Sequence, residues 1–174
     1  GIAHFIPIWD DENICTQCNK CVAICPHAAI RAKVVSKEEM FDAPLTLKHV
    51  PAKGRPFGKD DVYVLQVSPE DCTGCDLCVE VCPAVSKEDP NFKSINMRKK
   101  IEHDSVENQN WDFFINLPDY DRTELGISNV KGAQFLQPLF EYSGACAGCG
   151  ETPYVKLMTQ LFGDRLLIAN ATGC

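Results

Sequence analysis

The chain has 174 residues, 45% of them apolar and 24% charged, with a formal net charge of -7. That length suits one compact domain with arms and leaves little room for two, and the apolar share excludes wholesale disorder; the acidic balance speaks against a sequence-independent nucleic-acid binder, which needs a basic face to displace phosphate counterions. With no apolar run near the roughly 18 residues of a membrane helix and no basic-then-apolar leader, the chain reads as soluble and cytoplasmic, with neither nucleic acid nor membrane as a partner.

Eleven cysteines set the class. Their number is odd and no export signal accompanies them, which argues against a disulfide framework and leaves metal ligands or free thiols. The chain opens GIAHFIPIW without an initiator Met and stops just after LLIA, as a piece of a longer polypeptide would.

In chain order, Pro7 to Trp9 is expected as a first short strand. CTQCNKCVAICP follows at Cys15 to Pro26, and the pattern returns as CTGCDLCVEVCP at Cys72 to Pro83. Both read CxxCxxCxxxCP, the spacing that holds four-iron cubanes in bacterial two-cluster ferredoxins. Three cysteines at three-residue steps let a tight loop wrap one cube corner after another, with backbone N–H groups left pointing at sulfur. The fourth starts a helical turn that points away from that cube and reaches the other. A first [4Fe-4S] cluster is therefore expected on Cys15, Cys18, Cys21 and Cys82, and a second on Cys72, Cys75, Cys78 and Cys25. Pro26 and Pro83 redirect the chain without leaving a donor unsatisfied beside the cluster. Zinc knuckles also use CxxC pairs, but they do not account for two quartets each ending in CP. Thr16, Ala23, Thr73 and Gly74 are small, as a loop hugging a large cube requires. Val22, Ile24, Ile30, Val79, Val81 and Val85 shield the cubes or are simply core, and both readings can hold at once.

Ala29 to Val35 and Val62 to Val67 are β-branched and aromatic enough for strands. They complete a twofold pseudo-symmetric α+β ferredoxin-like domain over residues 1–97. Within it, 36–61, with Pro44, Pro51, Gly54, Pro56 and Gly58, reads as a loop-rich insertion. The stretch from Arg31 to Lys59 is rich in basic residues, and Ile101 to Asp121 carries Glu102, Asp104, Glu107, Asp112, Asp119 and Asp121 without one Lys or Arg. Each is a docking surface or a solvated face. From 90 to 137 the periodicity is weak, and 98–140 is taken as a linker arm. Trp111, Phe113, Phe114, Ile115 and Leu117 either anchor that arm on another surface or form an aromatic cluster on the ferredoxin-like domain.

SGACAGCGETPY at Ser143 to Tyr154 adds a further CxxC. Gly144, Gly148 and Gly150 free the backbone to bring N–H groups against sulfur. A helix is expected next, with Thr152 as N-cap, Pro153 at its first position, apolar Val155, Leu157, Met158, Leu161 and Phe162, and Gly163 past its end. Its positive N-terminus faces Cys149. A strand over Leu166 to Ala169 would bring Cys174 back near Cys146 and Cys149. On residues alone, this set is a cluster site, a redox dithiol or half a zinc site. The four histidines, His4, His27, His49 and His103, are scattered and read as structural, with His27, beside the CP turn, the one placed to touch a cluster's surroundings.

The segments FEYSGACAGCGETPYVKLMTQLFGDRLLIANATGC and IWDDENICTQCNKCVAICPHAAIRAK resemble pyruvate:ferredoxin (flavodoxin) oxidoreductase, the thiamine-dependent enzyme of anaerobic metabolism. The resemblance extends over essentially the whole chain and is least specific in the insertion and the arm. It implies that 141–174 begins an α/β thiamine diphosphate domain. It also implies a third [4Fe-4S] cluster on Cys146, Cys149 and Cys174, with a fourth ligand outside this chain. Glu151 and Cys174 would line the thiamine diphosphate pocket, whose Mg2+ site the missing segments complete. The implied function is to pass single electrons from the thiamine-bound pyruvate adduct through three clusters to ferredoxin or flavodoxin, as acetyl-CoA and CO2 form. Pyruvate and coenzyme A are then substrates of the whole enzyme, a homodimer, and this piece alone is not catalytic and supplies no catalytic acid or base. A stand-alone polyferredoxin-type carrier explains the repeats but not the third loop. A related 2-oxoacid oxidoreductase with another substrate stays open, because substrate contacts lie elsewhere.

Overall fold

The computed structural model describes residues 1–169. Two similar halves build its centre. In the first, β1 (Phe5–Trp9) leads through the first cysteine loop into α1 (Lys20–Ile24) and β2 (Ile30–Ser36); in the second, β4 (Asp61–Val67) leads through the second loop into α2 (Leu77–Glu80) and β5 (Ile95–Lys99). Between the halves, the insertion carries a 3₁₀ turn at Lys37–Met40 and the short strand β3 (His49–Pro51), and is otherwise loop. The three strands expected from sequence are present, each longer or displaced by a residue or two, the usual uncertainty of element ends.

The halves interlock by pairing across the repeat. β1 runs antiparallel to β5, with Pro7 opposite Met97, and β2 runs antiparallel to β4, with Ile30 opposite Val67 and Ser36 opposite Asp61. β3 pairs with the other edge of β4, giving the order β2-β4-β3. Strand β5 lay hidden in the weakly periodic stretch. Its inward residue Ile95 is buried, while Asn96 and Arg98 face Asp10 and bond it at 2.8 and 2.9 Å.

β4 is covered on both faces, which explains why DVYVLQV reads as a continuous apolar run and not as an alternation. Tyr63 and Leu65 join Trp9, Val22, Ile30, Ala32, Val34, Ile95 and several cysteines in the main core. Val62 and Val64 turn to the opposite face and pack with Val35, Met40, Leu47, Trp111, Phe114 and Leu117. The aromatic cluster is therefore packed on the ferredoxin-like domain. Its carrier is a helix, α3 (Lys100–Asn116), where the sequence pointed to an arm. Only Asn110, Trp111 and Phe114 of α3 are buried, so its apolar signal is confined to the last turns; there Trp111 and Phe114 stack at 5.5 Å, the spacing that puts two helical side chains on one face.

After a four-residue helix, α4 (Val130–Ala133), the chain reaches α5 (Thr152–Phe162) and a 3₁₀ turn at Gly163–Arg165. α5 starts one residue before the expected point: Glu151 is the N-cap, Thr152 is already helical, and neither side chain caps. Leu166 to Ala169 form no strand. Leu167 is fully exposed, and among the described residues no strand pairs with it. Cys174 and the return of the chain toward Cys146 lie outside the described residues. No described helix is long and apolar enough to cross a membrane.

Phe114→Ala is expected to destabilise the fold by about 3–5 kcal/mol, as for large buried aromatics elsewhere. Ile101→Ala, on the exposed start of the same helix, should stay within about 0.5 kcal/mol. Denaturation midpoints of the two variants check this.

Candidate metal centre

The two cysteine loops share an unusual backbone. Gln17 and Asn19 in the first have φ of 54° and 58°; Gly74 and Asp76, at the equivalent places in the second, have 70° and 67°. This left-handed geometry turns main-chain N–H groups inward: Gln17 N donates to Cys15 Sγ and Gly74 N to Cys72 Sγ, both at 3.4 Å. Glycine is needed in the second loop, because a Cβ there would lie 3.0 Å from the Phe5 carbonyl oxygen. In the first loop Gln17 is held in the same strained geometry by the insertion. Its side chain donates to the Pro51 carbonyl at 2.9 Å and accepts from the Lys53 N–H at 2.7 Å. Asn19 is likewise fixed, by the Tyr63 hydroxyl and by the Lys131 carbonyl, both at 2.9 Å.

Each loop opens on a small cavity. Cys15, Cys18, Cys21 and Cys82 line one, together with Trp9, Tyr63 and Ile95. Cys25, Cys72, Cys75 and Cys78 line the other, together with Pro7, His27 and Met97. Each cavity thus receives three thiols from one repeat and one from the other, crosswise. All ten cysteines of the described residues are free.

The chemistry of these donor sets suits a four-iron cube. Tetrahedral zinc would draw its sulfurs to about 3.8 Å from one another, and no three His, Cys, Asp or Glu among the described residues stand close enough to hold a single ion. Burial pushes the Cys21 and Cys78 thiols far above their ordinary value and Cys72 up to about 11. Thiols this reluctant to ionise become thiolates when a metal cation displaces the proton. Polar atoms also wait at the second cavity. His27 Nε2, Thr73 Oγ1 and Asp76 Oδ1 are buried without a partner among the described residues. Of the expected shielding residues, Val22 and Ile30 are buried, whereas Val85 is 41% exposed.

The third cysteine loop lies against the second. His27 ties it down, its Nδ1 3.1 Å from the Ser143 carbonyl and its own carbonyl accepting from Tyr142 N at 2.9 Å. Arg31 adds an ion pair to Glu141 and a 3.0 Å bond to the Tyr142 hydroxyl. Gly148, at φ 73°, sits so that a Cβ would be 3.8 Å from Cys75 Cβ. Cys146 is exposed and Cys149 half-buried. The backbone N–H groups of Thr152 and then Glu151, at the start of α5, hold the Cys149 thiol below its ordinary value. Glu151 is exposed beside it.

Sequence reasoning did not single out Lys156. The α5 pattern pointed to an apolar buried face; instead Thr152, Lys156, Thr159 and Gln160 are buried, and Tyr154, Met158 and Phe162 are exposed. A lone Lys spaced with Thr and Gln on one helix face was the available signal.

A family model for a 4Fe-4S dicluster domain matches residues 14–85. The chain is 60% identical over its whole length to a probable pyruvate-flavodoxin oxidoreductase of Escherichia coli. It is 57% identical to the pyruvate-flavodoxin oxidoreductase of Nostoc sp. and 49% identical to the pyruvate:ferredoxin oxidoreductase of Moorella thermoacetica, again over all of its residues. The chain matches pyruvate-flavodoxin and pyruvate:ferredoxin oxidoreductases from end to end. It spans 15% of the length of the E. coli protein and 14% of the other two. The dicluster match covers both repeats and ends before β5.

Gly74→Ala should cost about 1–3 kcal/mol, the usual range for a side chain forced into strained backbone, and lower the iron bound per chain. Gly144→Ala, which meets nothing within 4 Å, should leave both unchanged. Melting curves and iron-to-protein ratios give the comparison.

Proposed function

We propose that this chain is the electron-transfer part of a pyruvate:ferredoxin or pyruvate:flavodoxin oxidoreductase. In this reading Cys15, Cys18, Cys21 and Cys82 hold one [4Fe-4S] cluster, and Cys72, Cys75, Cys78 and Cys25 hold another. Cys146, Cys149 and Cys174 hold a third, with a ligand from elsewhere in the enzyme. Thiamine diphosphate with Mg2+, when bound in the complete enzyme, supplies the decarboxylation of pyruvate, and the clusters take up the electrons singly.

The observation that carries the reading is the seating of the Gly148 turn on Cys75. It supports a row in which the third cysteine loop adjoins the second cavity and the cavity of Cys15 comes last. That row gives electrons an ordered route: in at the Cys146 and Cys149 loop, through the cluster with Cys75, and out from the cluster with Cys15 to ferredoxin or flavodoxin. The chain's own residues set the route's properties. The inward N–H groups of Gln17 and Gly74 stabilise negative charge on sulfur, and the apolar lining lowers the local dielectric. The N–H groups opening α5 do the same for Cys149. A stand-alone carrier would have no use for a third thiol pair held on the second loop by His27 and Arg31.

The domain reading follows the same lines: 1–97 a two-cluster domain, 98–140 a connection now seen to include α3, and 141–174 the start of the thiamine diphosphate domain, with Glu151 and Cys174 toward the cofactor. The exposed apolar stripe on α5 supports a second folding unit there. Coenzyme A and a homodimer belong to the same reading of the whole enzyme.

The whole enzyme, isolated anaerobically, is expected to carry about twelve irons per chain and to reduce viologen dye with pyruvate in preference to other 2-oxoacids. The double variant Cys146→Ser, Cys149→Ser should hold about eight irons and lose pyruvate-driven reduction at least 100-fold, while dithionite still reduces its remaining clusters. Eight irons in the unmutated enzyme would leave the bare carrier as the answer.

A further inference from the structure

Lys156 is 2% exposed on the inward face of α5. Its ammonium donates to three main-chain carbonyls at the end of α1: Val22, Ala23 at 3.2 Å and Cys25 at 3.3 Å. Among the described residues no carboxylate pairs with it. A buried ammonium is costly to desolvate, and neutral carbonyls offset only part of that cost. The remaining compensation calls for negative charge nearby. The segment it grips carries Cys21, which lines one cavity, and Cys25, which lines the other.

We infer that Lys156 is the built-in counter-cation of the two clusters in the electron-transfer reading above, on which this inference rests. A cube held by four thiolates is already anionic, and reduction adds one more electron to it. A fixed positive charge in a low-dielectric interior therefore favours the reduced form and raises the midpoint potential. The charge comes from the helix that follows the third cysteine loop, so one side chain takes part in both the docking of that segment and the potential of the route. Lys156 is a positioning residue: it touches the backbone that holds the thiols and acts on the clusters through its field.

The competing account is a plain helix cap. The C-terminal carbonyls of a short helix need donors, and any donor serves. Charge separates the two accounts. Lys156→Gln keeps N–H donors and removes the charge; Lys156→Arg keeps both. In the whole enzyme purified anaerobically, with clusters followed by EPR during a redox titration, Lys156→Gln is expected to lower the midpoint of the cluster bearing Cys25. The expected size is a roughly tenfold change in its reduction equilibrium, about 59 mV for one electron. The cluster bearing Cys21 should shift less, and Lys156→Arg should leave both near the unmutated values. Unmoved midpoints in Lys156→Gln at full iron content would reduce Lys156 to a cap and overturn the inference. Loss of iron in Lys156→Gln alone counts for the charge, whereas loss in both variants would mean that shape matters and would overturn it. Absence of reduced cubane signals from the unmutated enzyme would overturn the functional reading and this inference together.

Discussion

The rest of the structure depends on crosswise sharing of thiols between two repeats. Each cavity takes three sulfurs from its own loop and a fourth from the other half. That exchange works only if the halves stand in a fixed relation. The pairings of β1 with β5 and of β2 with β4 provide it, since each joins a strand of one repeat to a strand of the other. Sheet pairing here is therefore the device that positions the thiols, and neither half could complete its cavity alone.

Around that frame, each addition braces a cysteine loop. The insertion reaches back to hold Gln17 in left-handed backbone through Pro51 and Lys53. The α3 helix covers the far face of β4 with Trp111 and Phe114, so the strand that leads into the second loop is fixed from both sides. Lys131, at the start of α4, supplies the carbonyl that orients Asn19. These contacts stiffen the loops that present N–H groups to sulfur, which keeps the polar surroundings of a bound cluster from reorganising as its charge changes.

α5 is bound by a different kind of surface. Its polar face docks through hydrogen bonds: Lys156 to the end of α1, Gln160 to the Leu136 carbonyl, and the Leu139 N–H to the Thr159 hydroxyl oxygen. Tyr154, Met158 and Phe162 point outward, while Leu161 packs against the main core.

What the sequence determined by itself was local. The two CxxCxxCxxxCP runs, the three expected strands, the start of α5 to within one residue and the quartets of thiols were legible because short-range spacing and side-chain chemistry encode them directly. The crosswise grouping was legible from the CxxCxxCxxxCP spacing, but its expected geometry was not met: Cys25 and Cys82 lie just past the ends of α1 and α2, Cys25 in extended backbone, and neither starts a helical turn. Tertiary structure decided the rest. It made a helix of 100–116, whose apolar residues crowd into its last turns; it paired β5 with a strand almost a whole domain earlier; and it turned α5 polar side inward. None of these could be read locally, because each is fixed by the surface the segment meets, and periodicity says which residues share a face but not which face is buried.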